Sequence, residues 1–323
     1  MGIAVTTAPA QERTATTTSN VPPRERRIAI IATIVTVVLW ASAFVGIRAA
    51  GRVLAPGSLS LARLLVGSLV LGAFVLVRRD PLPRRRDVIG VLACGLLWFG
   101  AYNVLLNQGE RLVDAGTAAM LVGIGPVLVA ALSGMLLGEG FPRRLMIGSA
   151  VALAGTIVIG VATSTHGLQS GLGALLCIVA AAAYAGGVTA EKPLLSHNSA
   201  FTITWLACTI GAVACLPFAS QLIHEVARAD AGSIAWAVYL GVFPTAIGFS
   251  CWAYALARTS AGRMGATTYA VPPIAILLGW VVLGDVPPLL AFIGGVLCLG
   301  GVAVTRGARL PARRRARGAP PSG

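Results

Sequence analysis

Charge is scarce in this sequence. Asp, Glu, Lys and Arg make up 11% of its 323 residues, against roughly 25% in a soluble domain. With 56% hydrophobic residues and a mean hydropathy of +0.83, the chain cannot coat a water-facing surface and belongs in lipid. Histidine is nearly missing: His166, His197 and His224 stand apart. The six cysteines all fall inside apolar runs, with no C-x-x-C spacing, so neither a disulfide framework nor a metal site is expected. Paired carboxylates, a His-Cys set and H-E-x-x-H are also lacking, which leaves no candidate catalytic residues and no implied cofactor. Glu139, Glu191 and Asp285 end apolar runs, and no carboxylate occupies a midspan position. The net charge of +14 comes from residues between apolar blocks and in the two tails. Without a basic face interleaved with aromatics, nucleic acid is not an expected partner.

What is present is length and repetition of apolar sequence. Runs fall near 28–48, 58–77, 88–109, 114–137, 145–163, 171–190, 201–221, 233–257, 263–283 and 288–305. A spanning helix needs about 20 apolar residues, so the expectation is an all-α integral membrane protein of ten transmembrane helices. Residues 1–27 and 306–323 read as disordered tails, the second of them basic. The first run, behind Arg24-Glu25-Arg26-Arg27 and carrying Ala41-Ser42-Ala43, imitates a cleavable signal peptide. Its long polar leader and its continuation through Val45 to Ile47 favour an uncleaved helix. Arg78, Arg79, Arg84 to Arg86, Arg143, Arg144, Lys192, Arg258 and Arg263 fall on one side of the alternating spans. By the positive-inside rule that side, and both termini, are cytoplasmic, and the plasma (inner) membrane is the expected location.

The chain also repeats itself. Ala115-Gly116, Pro126, Leu137-Gly138-Glu139 and Pro142 are matched at one constant offset by Ala261-Gly262, Pro272, Leu283-Gly284-Asp285 and Pro288. The offset continues through Gly148 with Gly294 and Gly155 with Gly301. Five runs lie in each half, 28–163 and 171–305, and an odd number inverts the second half relative to the first. Two inverted five-helix repeats with matching helix breaks are a common build for secondary transporters.

Trp40-Ala41-Ser42-Ala43-Phe44, then Pro56 and Arg63, resemble the opening of an EamA domain. The Pro126 helix ending at Leu137-Gly138-Glu139, with its echo from Pro272 to Asp285, is similar to the close of each such domain. The resemblance covers about residues 28–305 and implies the drug/metabolite transporter superfamily. It also implies a cargo of small metabolites, amino acids or related compounds among them, often moved outward. The second unit departs from the pattern in ending on Asp285 and lacking an arginine like Arg63.

Proline inside a helix removes a backbone hydrogen bond and crowds the carbonyl four residues earlier. Pro126 and Pro272 stand near the middle of their runs, where irregular backbone is tolerated only beside protein or a water-filled cavity. A central substrate cavity is therefore expected around Gly123, Pro126, Thr268, Tyr269 and Pro272. Other polar or amphipathic residues at that depth, Trp40, Ser42, Tyr102, Asn103, Tyr184 and Trp252, are candidates for its walls. Arg63 reads first as a structural cation paired with Glu110 or Asp114, and second as an attractor of anionic groups. Gly134 and Gly138 form a G-x-x-x-G, which permits close helix approach within a monomer or in a homodimer; the monomer is favoured. The reading is a carrier of a small molecule in the lipid bilayer, facilitated or coupled through an ion on the substrate. The alternative is a membrane-embedded enzyme acting on a lipid-linked substrate.

Overall fold

A computed structural model describes residues 22–112, 115–163, 171–284 and 286–307, and all its regular structure is helical. The helices, in chain order, are α1 (Pro23–Ala50), α2 (Pro56–Arg78) and α3 (Arg85–Gly109). Next come α4 (Ala115–Val122), α5 (Gly125–Leu136) and α6 (Arg143–Thr163). The second half holds α7 (Gly171–Leu194), α8 (Ala200–Ala214), α9 (Ala219–Val226), α10 (Ala231–Leu256), α11 (Ala261–Val282) and α12 (Leu289–Arg306). Eight of these are long and apolar enough to cross a membrane, or nine if α8 and α9, bent by 52°, act as one broken span. That bend falls at Leu216–Phe218, where Pro217 cannot continue the helix. The run read at 114–137 is broken too, leaving a shorter apolar helix over Met120–Leu136.

Lipid-type surfaces cover the outside: Leu69, Leu76, Val281 and Val296 are largely exposed. The interior is sealed by small residues and by hydroxyls that bond their own helix. Thr36, fully buried on α1, donates to Ala32 O at 2.9 Å and lies 3.1 Å from Gly248 O on α10. Such pairing meets the requirement that polar groups in lipid be satisfied internally.

The tightest contact joins α6 to α12. A Cβ added at Gly148 would stand 2.6 Å from Gly301 O, and one at Gly301 would stand 2.5 Å from Gly148 O. Gly155 and Gly294 oppose each other in the same way, at 2.6 and 2.7 Å. The four glycines that matched along the sequence therefore meet crosswise in space. Gly134 instead packs on Phe141, and Gly138 sits at φ 67°, a left-handed position. Gly134 is thus occupied within this chain, while Gly138 has nothing within 4 Å and ends the helix.

Basic side chains gather at one end of the bundle, where Arg26, Arg143, Arg144, Arg263 and Arg306 border one depression. At the other end the start of α2 is held by Glu225, which accepts from Ala55 N at 3.0 Å.

Replacing Gly301 with Val is expected to force α6 and α12 apart, at a cost of about 1–3 kcal/mol for overpacking. Thermal unfolding of the detergent-purified protein should show a lowered midpoint. Gly300→Val, where nothing lies within 4 Å, serves as the neutral comparison. Equal midpoints for the two variants would remove the glycine seam from the account of stability.

Candidate functional site

The proline positions act differently in the two halves. Without an N–H at residue 126, Val122 O loses its helical donor. The chain then leaves the helix after Val122, turns through Gly123 and Ile124, and resumes at Gly125. In α11 the axis is not broken; residues Thr268–Ala270 tighten into a 3₁₀ turn ahead of Pro272. Hydroxyls bond back beside it, Thr267 to Met264 O at 2.6 Å and Thr268 to Gly265 O at 2.7 Å.

Two more irregularities face these breaks. The helix widens to π form across Gly95–Ala101 in α3 and across Gly241–Gly248 in α10. Gly241 lies at the same offset from Gly95 as Asp285 from Glu139. In α3 the carbonyls of Trp98 and Phe99 accept the Asn103 side-chain amide at 3.3 and 2.8 Å. In α10 Pro244 removes a donor, and its own carbonyl accepts the Trp40 indole N–H at 3.3 Å. Wide turns of this kind are frequent at functional sites.

Between these segments lies a cavity of about 160 Å³. Its lining runs from Trp40 to Ile47 on α1 and from Trp98 to Asn107 on α3, in both cases the half away from the basic end. Tyr102 and Asn103 lie within that stretch; Gly123 and Pro126 come from the first break, Tyr184 from α7, and Thr268, Tyr269 and Pro272 from α11. Nine of the sequence candidates are thus brought to one space. Ser42 and Trp252 are not in the lining. Ser42 is two residues past Trp40, about 200° round the helix, and its hydroxyl meets Tyr239 OH on α10 at 2.7 Å. Trp252 is wholly buried behind the wall, stacked on Trp40 with ring centroids 5.0 Å apart.

That stack belongs to an aromatic layer on the basic side of the cavity. Trp98 stands 5.5 Å from Trp252 and 4.9 Å from Phe249. Tyr184 stands 5.6 Å from Trp98, its ring seated against Gly125, where an added Cβ would lie 2.7 Å from Cδ1. The buried hydroxyls of Tyr184 and Tyr269 have no hydrogen-bond partner among the described residues. Buried polar groups are ordinarily satisfied, so these two hydroxyls are available to water or a ligand. Behind the layer Glu191 is buried beside the Trp252 indole, with Oε2 likewise unpartnered. It does not line the cavity.

Sequence reasoning missed Trp98 and Phe249, which line the cavity. The signal that would have found them is the Gly95–Gly241 match at the repeat offset.

A closed bundle of apolar helices around a midspan cavity with broken walls defines a multi-pass membrane transporter. The chain belongs to the EamA-like transporter family, whose sequence profile matches residues 27–161 and again 171–307. It is 40% identical, over 89% of its length and 96% of the relative's, to a probable terminal-alkyne amino-acid exporter of Streptantibioticus cattleyicolor. It is 24% identical, over 86% and 94%, to a probable amino-acid metabolite efflux pump of Escherichia coli strain K12. A solved crystal structure shares the fold with TM-score 0.71 at 21% identity, covering 86% of this chain and 96% of that one. The enzyme alternative is corrected by this membership: the chain is a transporter and not an enzyme.

Gly125→Val should unseat Tyr184, filling the cavity while leaving membrane insertion intact. Export by cells carrying this variant is expected to fall to background, and Gly279→Val, in open space, to match wild type. Unimpaired export by Gly125→Val would show that the Tyr184 ring does not shape the transport path.

Proposed function

We propose that this protein exports amino acids or closely related small metabolites across the plasma membrane by alternating access. The observation that carries the reading is the cavity itself. It is walled by aromatics, sited at the break before Pro126 and the tightened turn before Pro272, and extends from a closed aromatic layer toward the end opposite the Arg143-Arg144 depression. The amino-acid cargo named for the two relatives supports the substrate class. The basic end is taken as cytoplasmic on the positive-inside rule, with both termini there and ten spans in two inverted five-helix units. The protein works as a monomer on this reading, because Gly134 is already packed against Phe141 of the same chain.

The closure at the basic end supports alternating access. Glu139, beyond α5, accepts from the N–H groups of Ala261 and Gly262 at 2.7 and 3.1 Å. A carboxylate on the first N–H groups of a helix is favoured by their partial positive charge. Arg258 adds a tie to Glu25 at 3.0 Å, and His197 one to Asp87 at 3.0 Å. The sequence repeat carries Glu139 onto Asp285 and Ala261-Gly262 onto Ala115-Gly116. Asp285 lies outside the described residues. Its role follows from the repeat: in the inward-facing state its carboxylate takes the Ala115 and Gly116 N–H groups as the Glu139 contact opens.

Two measurements test this. Cells expressing the protein should resist growth inhibition by a subset of amino-acid analogues and release them faster, and a Pro272→Ala, Pro273→Ala double variant should lose both effects. No selectivity across amino acids, analogues and common drugs, with the protein shown in the membrane, would refute the exporter reading. For the gates, Glu139→Gln should raise the labelling of a cysteine introduced at the cytoplasmic side of the aromatic layer, and Asp285→Asn should lower it. Shifts in the same direction would rule out the reciprocal gates.

A further inference from the structure

One charged side chain in the cavity wall has no charged partner among the described residues. Arg63 on α2 is 6% exposed and lines the cavity. It sits seven residues from the start of α2, roughly 10 Å into the bundle at the helical rise. Its Nε–H donates to Thr245 Oγ1 at 3.2 Å, and that hydroxyl in turn donates to Leu240 O at 2.8 Å. A guanidinium has five N–H donors. The other four, on the two Nη atoms, have no partner among the described residues, and no carboxylate there pairs with the charge. Among the described residues, Tyr102 and Cys208 are the titratable groups that act on its charge. Asp114 and the side chain of Glu110, the partners expected from sequence, lie outside the described residues.

Acceptors stand close by. Asn107 donates its amide to Ser60 Oγ at 2.9 Å and Pro56 O at 3.3 Å, and Ser60 is one turn from Arg63 on the same face of α2. Asn103 spends its amide N–H on the π-segment carbonyls. Because both amides donate to carbonyls, the atom left over in each is Oδ1, an acceptor on the cavity wall. Four cationic donors and two amide acceptors at one end, with an aromatic layer at the other, are complementary to a zwitterion with an apolar side chain.

We propose that Arg63 binds the carboxylate of the transported molecule, so that the cargo carries a free carboxylate at the Arg63 end and lodges its apolar group against Trp40, Trp98 and Tyr184. The inference rests on the transporter reading above and deepens its substrate class. One guanidinium neutralises one carboxylate. A phosphate dianion in the same wall would keep an uncompensated charge in a medium where charge is costly. Arg also offers the planar fork that fits a carboxylate through two parallel hydrogen bonds, which a lysine cannot supply.

The test uses the full chain in proteoliposomes, with counterflow of labelled L-leucine and of an L-amino acid bearing a terminal alkyne, each challenged by its free acid and its carboxamide. The acids should compete and the carboxamides should not. Arg63→Gln should weaken apparent affinity roughly ten- to a hundredfold, the range of a lost charged hydrogen bond. Arg63→Lys should fall between. A Glu110→Gln, Asp114→Asn double variant should keep wild-type affinity. Carboxamides competing as well as acids, or Arg63→Gln matching wild type, would overturn the proposal. So would the double carboxylate variant reproducing the loss, which would make Arg63 a structural ion-pair partner. If Arg63→Gln fails to insert, Arg63→Lys decides: an unchanged KM and unchanged rejection of carboxamides overturn the assignment. Exchange of ethidium but of no amino acid would overturn the amino-acid reading together with this proposal. Acid exchange indifferent to residue 63 overturns this proposal alone.

Discussion

The crossing of α6 over α12 is the constraint on which the rest of the bundle hangs. In lipid there is no hydrophobic gain in bringing two helices together, since the tails are as apolar as leucine. Association rests on packing, and packing is best where backbones touch. Gly148 against Gly301 and Gly155 against Gly294 give that contact twice, each glycine facing the other's carbonyl. Thr156 and Cys298 sit within the same seam, their Oγ1 and Sγ 3.5 Å apart. The helices that lead into this seam are the ones broken at Pro126 and tightened before Pro272. A rigid crossing therefore fixes where two pliable helices begin to diverge, and the cavity opens at that divergence.

Polar economy separates scaffold from site. Threonines through the bundle bond back to their own helix, as Thr33 does to Ala29 O, Thr189 to Ala185 O and Thr204 to Ala200 O. Such back-bonding satisfies a hydroxyl without asking anything of a neighbour. Around the cavity the pattern changes. Among the described residues, Tyr184 OH and Tyr269 OH are buried without hydrogen-bond partners, and Arg63 uses one donor of five. Serine and threonine hydroxyls at Ser58, Ser149, Thr202 and Ser250 are also unpartnered, but they are scattered. The large aromatic and cationic groups are the ones that converge, and convergence in a concave space is what marks a binding site.

Much of this was legible in the sequence because it was written twice. The Ala-Gly, Pro and Leu-Gly-acid signals gave the repeat; the missing N–H at Pro126 anticipated a break that the structure shows, while at Pro272 the helix tightens without breaking. What the repeat could not disclose was contact. Gly148 pairs in sequence with Gly294 but touches Gly301, and Gly155 pairs with Gly301 but touches Gly294. The aromatic layer was hidden for another reason. Trp98 and Phe249 lie at or next to π-helical widenings, which shift side chains off the ordinary helical face, so 3.6-residue periodicity misassigns them. Ser42 shows the limit of judging by depth alone: it lies at the level of the cavity, on the wrong side of α1.

Symmetry and asymmetry have separate tasks in this chain. The features that repeat in the sequence, the seam glycines, the midspan prolines and the Leu-Gly-acid helix ends, shape the scaffold in both halves. The features that do not repeat belong to recognition. Arg63 has no basic counterpart in α8, which holds Trp205 and Cys208, and the thiol of Cys208 bonds Leu64 O at 3.3 Å, beside the arginine. An inverted repeat with a cation in each half would place two charges near one midplane, where neither could be neutralised by a singly charged substrate. On the proposed carboxylate binding, keeping the cation in one half only lets a single carboxylate settle the charge. The departure from the repeat at Arg63 is thus as much a part of the transport logic as the repeat itself.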